Sequence, residues 1–243
     1  MELLEFKEKL IVALKDNSIE LEVTDNKAEK LFNLMKTMLE VNKSMNLTAI
    51  TDEDAIIVKH YADSLTVSSY IPQNARIIDV GCGAGFPCLP LAIFREDLKI
   101  TALDSTAKRI KYIGDTAKKL DITNVIPIVA RAEELGKQNG YRESFDVATA
   151  RAVAALPVLS ELCLPFVKNG GLFVSMKASQ GSQEALDAQN AIRICGGSIK
   201  SVDKLTLFSS QSSEERTIIA ISKITSTPPK YPRHYSQITK KPL

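Results

Sequence analysis

Apolar positions in the first part of the chain recur at helical intervals. Leu3, Leu4, Leu10, Ile11 and Leu14 fall near one face of a 3.6-residue repeat. Leu31, Leu34, Met35, Met38 and Leu39 form a second stripe. Thr51-Asp52-Glu53-Asp54 reads as a capped start, with an acid three residues after the threonine. It leads into a third helix from Ala55 to about Tyr70. No glycine occurs before Gly81, which fits a helical extension.

Beyond that point the period shortens. Arg76-Ile77-Ile78-Asp79-Val80 is a β-branched run ending at a glycine cluster. Comparable runs are Lys99–Leu103, Val125–Val129, Phe145–Thr149, Gly171–Met176 and Thr217–Ile221, and Leu205–Phe208 adds one more strand. Helix-length segments lie between most of them, at about 86–95, 106–120, 153–168 and 181–195. Such alternation predicts βαβ units and a mostly parallel sheet covered on both faces. The last two strands lack an intervening helix, only a polar turn from Ser209 to Glu215, so they predict an antiparallel hairpin at one sheet edge. Thr227-Pro228-Pro229-Lys230-Tyr231-Pro232 cannot form a regular helix and reads as an extended tail. The chain thus divides into a helical extension (1–66), an α/β domain (67–225) and a basic, proline-containing tail (226–243).

Composition narrows the classes. At 243 residues, 44% hydrophobic and 25% charged, the chain is an ordinary globular protein. No apolar run approaches the ~20 residues that span a bilayer. The opening MELLEFKEKL is no secretory signal, so a cytoplasmic location is expected, without a membrane partner. Four cysteines without CxxC pairs and two histidines give no expectation of a metal site or a disulfide framework. Cys82 and Cys88 read as small filler residues. The net charge of +2 hides an asymmetry: residues 1–60 hold 12 acids against 8 Lys/Arg. After Glu215 there is no acid, while Arg216, Lys223, Lys230, Arg233, Lys240 and Lys241 follow. A basic tail fits either a polyanionic partner or a solvated end that aids solubility.

The candidate chemistry begins at Gly81-Cys82-Gly83-Ala84-Gly85, after a strand and before an apolar helix. Glycines there let a ligand approach the main chain closely, and the same cluster also serves as a plain strand–helix turn. Phe86 stands where the last glycine of the dinucleotide fingerprint belongs, which counts against a pyrophosphate cofactor. Asp104 ends the second strand, 25 residues after Asp79, where an acid accepts from ribose hydroxyls. It is equally placed to cap the next helix. Glu133, after Ala132 at the end of the third strand, faces an adenine position or complements a helix dipole. Arg151, between two alanines at the end of the fourth strand, faces the crevice or forms a structural ion pair. Lys108, Arg109, Lys111, Lys118 and Lys119 share one helix, as a phosphate-binding face or a solvated one. His60 reads as a satisfied structural residue that positions the extension.

Taken in order, these segments resemble the bacterial 16S ribosomal RNA guanine-N7 methyltransferases, also called glucose-inhibited division protein B. The resemblance runs from about Asn42 to Lys177. It rests on Asn46-Leu47-Thr48, Lys59-His60-Tyr61-Ala62-Asp63-Ser64, Asp79-Val80-Gly81-Cys82-Gly83-Ala84-Gly85-Phe86-Pro87, Leu103-Asp104-Ser105-Thr106-Ala107-Lys108-Arg109, Arg131-Ala132-Glu133-Glu134 and Ala150-Arg151-Ala152. It implies a class I, Rossmann-like methyltransferase fold with a seven-stranded, mostly parallel sheet carrying an antiparallel edge strand. It also implies S-adenosylmethionine as cofactor and methyl transfer to guanine N7 in 16S ribosomal RNA or the small subunit, by a monomer. A small-molecule methyltransferase, or a non-catalytic nucleotide- or RNA-binding protein, are the alternatives. Cofactor contacts carried by the resemblance are Gly81, Phe86, Ala132, Glu133 and Arg151, beside Gly83 and Asp104 read from the residues. The candidate RNA contacts are Lys108, Arg109, Lys111, Arg131 and Arg233, and Arg151 is the one candidate catalytic side chain. Two departures stand out. Cys88 replaces a common glycine, and after Tyr231-Pro232-Arg233 the stretch His234–Thr239 is not the family's usual continuation.

Overall fold

The computed structural model describes residues 1–209 and 212–243. Seven strands form one sheet: β1 (Arg76–Val80), β2 (Lys99–Asp104), β3 (Val125–Val129), β4 (Phe145–Arg151), β5 (Val167–Lys177), β6 (Gly197–Phe208) and β7 (Ser213–Lys223). Their order is β3-β2-β1-β4-β5-β7-β6. β1 to β5 run parallel, and β7 is antiparallel to both β5 and β6. The expected class I fold and its terminal hairpin are both present; the reversed strand is β7, one position in from the edge. Part of the Ser209–Glu215 turn lies outside the described residues.

The helices are α1 (Leu3–Asp16), α2 (Asp25–Met45), α3 (Glu53–Ile56), α4 (Asp63–Leu65), α5 (Cys88–Phe94), α6 (Ala107–Lys119), α7 (Ala132–Leu135), α8 (Leu156–Cys163), α9 (Gly181–Asp187), α10 (Gln189–Ile194) and α11 (Tyr235–Lys240). Between α3 and α4 the chain stays helical but widens into a π turn over Ile57–Ala62. The third predicted helix is therefore real but shorter, ending at Leu65, with a 3-10 turn at Ser68–Tyr70.

Local chemistry accounts for these elements. In β1, Ile77, Ile78 and Val80 are all buried, as a central strand covered on both faces requires. In α6, Ile110, Ile113 and Ala117 turn inward, while Lys108, Lys111, Lys118 and Lys119 stay exposed. Thr24 caps α2 through Lys27 N and Asp52 caps α3 through Ala55 N. One hydrophobic cluster runs from Phe6, Leu10, Leu31 and Met35 through Tyr61 and Phe86 to Ile77 and Ile100. The helical extension and the sheet thus share a core. A second cluster, with Phe145, Leu159, Phe166 and Phe173, fills the opposite face.

Strand order reverses between β1 and β4, and the carboxyl ends of β1, β2 and β4 lie side by side. Val80 pairs with Leu103, and Asp79 with Ala102 and Thr149. In open α/β sheets a ligand crevice opens at this point.

Candidate active site

Gly81 leaves β1 with φ +74°, and its amide and that of Cys82 donate to Leu103 O at 2.8 and 3.0 Å. A Cβ on Gly81 would come within 2.6 Å of Val153 Cγ2. Both the backbone angle and the close approach require glycine. Behind the loop, the Asp79 carboxylate accepts from Thr149 Oγ1 (2.9 Å) and from Cys88 N at the start of α5 (3.3 Å). Complete burial pushes this carboxyl up to about 6, against the lowering effect of those donors. Cys82 and Cys88 are buried and burial pushes the Cys88 thiol up, so neither is a poised nucleophile.

Two cavities open along the carboxyl ends of the strands. The smaller, about 250 Å³, is lined by Gly81, Asp104, Arg109, Arg131, Ala132 and Glu133 among others. Asp104 Oδ1 accepts from Thr106 N (2.8 Å) and Oδ2 from Gly83 N (3.1 Å), with the Arg109 guanidinium 3.7 Å away. Asp104 therefore braces the glycine loop and the start of α6, while Thr106 holds the N-cap position itself. Glu133 is only 5% exposed and lines the same cavity. Among the described residues its carboxylate has no cation within 4.0 Å and no side-chain hydrogen bond. A buried acid without a protein partner is expensive unless a ligand supplies donors.

The larger cavity, about 790 Å³, adjoins the first across Ala152 and Val153. Ala152 sits at this junction with φ +55°, in the left-handed region that costs a non-glycine residue about 1–2 kcal/mol. Its lining carries Lys59, His60, Asp63, Arg151, Lys177, Glu184, Glu214 and Arg216. Every carboxylate there is already paired. Asp63 takes Arg151 Nη1 at 2.8 Å and Arg216 Nε at 3.1 Å. Glu214 takes Arg216 Nη2 and Lys59 Nζ. Glu184 takes Lys177 Nζ at 2.7 Å and the amide of Leu156. Lys177 also donates to Ala154 O at 2.6 Å, tying down the loop after β4.

His60 joins the two regions. Its ring stacks on Phe86 at 4.4 Å and 11°. Nε2 lies 2.9 Å from Thr48 Oγ1, and Nδ1 lies 3.3 Å from Arg151 Nη2. Arginine only donates, so Nδ1 accepts and the proton sits on Nε2, donating to Thr48. Burial, reinforced by the nearby Arg151 charge, lowers the imidazole to about 3, which keeps it neutral. Asn42 holds Thr48 by two hydrogen bonds, Thr48 N to Oδ1 and Nδ2 to Thr48 O. The Asn46-Leu47-Thr48 segment and the His60 segment are thus two sides of one clamp on Arg151.

Most of the residues singled out from the sequence converge here. Gly81, Asp104, Ala132 and Glu133 share the smaller cavity with Arg109 and Arg131, and Arg151 lines the larger one. Gly83 lines neither; its amide fixes Asp104. Phe86 also lines neither, because its ring is buried against His60 and Tyr61. Lys108 is exposed on α6, and Lys111 pairs with Asp115 at 2.6 Å. Arg233, a candidate RNA contact, is engaged within the fold. Its guanidinium donates to Glu161 at 2.6 and 2.9 Å, and Glu161 is completely buried in α8. A buried acid demands a charged partner, and the tail supplies it. The sequence assigns no site role to Val153, Lys177 or Tyr235, which carry no motif, nor to Arg216 beyond its charge; Asp63 lay inside a motif segment without a role. Among the described residues no group of three His, Cys, Asp or Glu could hold a metal, and no helix is long and apolar enough to cross a membrane.

Known proteins resolve the family. The family described as rRNA small subunit methyltransferase G matches residues 27–213. The chain belongs to this family. A Lactobacillus acidophilus protein named ribosomal RNA small subunit methyltransferase G is 41% identical over 240 residues, 97% of this chain and 98% of that one. Among solved structures, a SAM-dependent methyltransferase from Aquifex aeolicus superposes with a TM-score of 0.53 at 14% identity, covering 77% and 97% of the two chains. M. jannaschii TYW2 in complex with AdoMet gives 0.52 at 15%, covering 67% and 77%. These two likenesses concern the class I fold.

Proposed function

We propose that this chain transfers a methyl group from S-adenosylmethionine to N7 of a guanine in 16S ribosomal RNA, acting as a monomer. The observation that carries the reading is Glu133, an acid 5% exposed and without a side-chain hydrogen bond or ion pair among the described residues, which lines the same cavity as the positive-φ Gly81. Such a cavity fits a nucleoside: ribose hydroxyls and an adenine amino group are donors, and Asp104 and Glu133 are acceptors. Family membership supports both the methyl-transfer chemistry and the RNA substrate. The bound cofactor supplies an electrophilic methyl group on a positively charged sulfur.

The chain's own residues then have two tasks. The first is to hold the nucleoside on Gly81, Asp104, Ala132 and Glu133, against the loop braced by Asp79 and Gly83. The second is to admit the base into the larger cavity, beside Arg151. Guanine N7 has a lone pair and no proton, so its attack needs no general base. The paired state of Asp63, Glu184 and Glu214 agrees with this. Rate enhancement comes from proximity, orientation and exclusion of water. The base must be unstacked or lie in a loop to reach that depth. Arg109 and Arg131 line the smaller cavity and suit phosphate contacts that set register, while Lys108 and Lys111 extend the basic face of α6 beside Thr37 and Val41 of α2.

The test is incubation with labelled S-adenosylmethionine and small subunits from cells lacking the enzyme, followed by mapping of the labelled base. Label at one guanine of 16S RNA is expected. Absence of label under conditions where the cofactor binds would overturn the RNA reading.

A further inference from the structure

Most of the stretch His234–Thr239, where the sequence leaves the family's usual ending, lies in helix α11, and the first residue of that helix, Tyr235, lines the smaller cavity. Tyr235 stands there with Arg131, Ala132, Glu133 and Leu162. Its ring is 37% exposed, a large aromatic surface left open over a cavity. The Arg131 guanidinium lies over the ring at 5.8 Å, so the two side chains form one stretch of the cavity lining.

The tail is anchored firmly enough to hold this ring in place. Arg142 donates to the carbonyls of Thr227 (2.6 Å) and Tyr231 (2.9 Å). Thr227 N donates to Glu143 and Thr227 Oγ1 to Cys195 O, and the buried Lys223 ammonium donates to Thr227 Oγ1. Arg233 is locked on Glu161, and His234 N donates to Gln237 Oε1 at 3.3 Å while His234 Nδ1 lies 2.9 Å from Ser236 Oγ at the start of α11. Ile238, one turn beyond Tyr235, is completely buried. Anchors therefore lie on both sides of Tyr235, and only Tyr235 turns from them toward the cavity.

We propose that Tyr235 is a wall of the cofactor site and packs against the adenine ring, so that the C-terminal segment is part of the cofactor-binding machinery. This rests on the reading of the smaller cavity as the nucleoside end of the site. An aromatic ring beside a flat purine gives stacking or edge contact without hydrogen-bond readout, and Arg131 adds a cation at the same wall. Arg131 then serves the cofactor site as well as the RNA.

The test is calorimetry of the full chain with S-adenosylhomocysteine and, separately, with adenosine. Base–aromatic contacts are worth about 1–3 kcal/mol, so Tyr235→Ala weakens both ligands by about tenfold, while Tyr235→Phe stays within about twofold of the parent. The ring is exposed, so the unliganded melting temperature of both variants stays near the parent's. A second readout is spectroscopic. The chain has six tyrosines and no tryptophan, so tyrosine emission is directly visible; the ligand changes it in the parent, and Tyr235→Phe loses most of that change. Parent-like affinity of Tyr235→Ala for both ligands would overturn the proposal while leaving the cofactor reading intact. So would weakening confined to S-adenosylhomocysteine, since the contact is assigned to the adenine. If the parent itself bound neither ligand, the nucleoside reading would fail and this proposal with it.

Discussion

Arg151 and Asp63 meet at 2.8 Å across the boundary between the sheet and the helical extension, and Arg216 closes on the other carboxylate oxygen at 3.1 Å. One buried acid thus restrains two guanidiniums at the wall of the larger cavity. Asp63→Asn leaves those cations facing a neutral amide. Breaking a buried pair from one side typically removes 3–5 kcal/mol, so a loss of about 3 kcal/mol is expected by urea unfolding, with methyl transfer at least tenfold slower. A coincident unfolding curve would show that the pair carries no stability.

Glu133 predicts the opposite balance of stability and binding. Glu133→Gln keeps the shape of a side chain that faces the cavity and makes no side-chain hydrogen bond or ion pair among the described residues, so the unliganded protein is expected to be about as stable as the parent. Hydrogen bonds to a charged group are worth about 1.5–3 kcal/mol, so affinity for S-adenosylhomocysteine falls roughly tenfold or more. Calorimetry and thermal melting together check both halves; unchanged affinity would remove Glu133 from the site.

The loop glycines separate in severity. Gly81 and Gly83 both have positive φ, but only at Gly81 does an added Cβ strike a neighbour, Val153 at 2.6 Å; at Gly83 nothing lies nearer than 3.8 Å. Gly83→Ala therefore bears only the backbone strain of about 1–2 kcal/mol. Gly81→Ala adds a displaced Val153 at the junction of the cavities. It is expected to weaken cofactor binding by more than tenfold where Gly83→Ala weakens it severalfold at most.

Two buried groups give opposing pH dependences. Asp79 is raised from 3.8 to about 6. Its contribution to stability is present below pH 3.8 and is lost as pH rises through 6. His60 is lowered from 6.5 to about 3. Its contribution is present above pH 6.5 and is lost as pH falls toward 3. Near pH 5 each contributes a slope of about 1 kcal/mol per pH unit, with opposite sign. The two therefore nearly cancel in the parent. Asp79→Asn should unmask the histidine: between pH 6.5 and 4 the variant loses about 1 kcal/mol per pH unit more than the parent on acidification. Parallel stability profiles would contradict this.

Arg233 and Lys108 are distinguished by what each substitution disturbs. Arg233→Ala strands the buried Glu161 and should lower stability by about 3 kcal/mol, with the salt dependence of RNA binding unchanged. Lys108→Ala should leave stability alone and reduce the salt slope by about one. A reduced slope for Arg233→Ala would restore it as an RNA contact.

The strands were legible because β-branched runs such as Ile77-Ile78 and Ile218-Ile219 are buried on both faces, which leaves a local signature. Edges were less so: β6 begins at Gly197, eight residues before the first residue predicted for it, because its polar alternation is that of a half-exposed strand. Asp104, the last residue of β2, and Glu133, just after β3, were singled out by position, and both line the smaller cavity. The pairing of Arg233 with Glu161 was not legible, because a tail cation and a cation clamped on a buried acid look alike until α8 brings Glu161 beneath it. Val153 and Tyr235 act through shape across long sequence separations, which no local pattern encodes.

The stack of His60 on Phe86 has a consequence for how such chains can be recombined. One ring belongs to the extension and the other to the glycine loop, so a chimera joined between them receives half of an aromatic joint. A foreign extension lacking the imidazole would leave Phe86 without its cover and Arg151 without one of its acceptors. The first 66 residues and the glycine loop therefore pack as one unit, and a chimera joined after the loop is expected to keep the stack where one joined at the start of the sheet loses it.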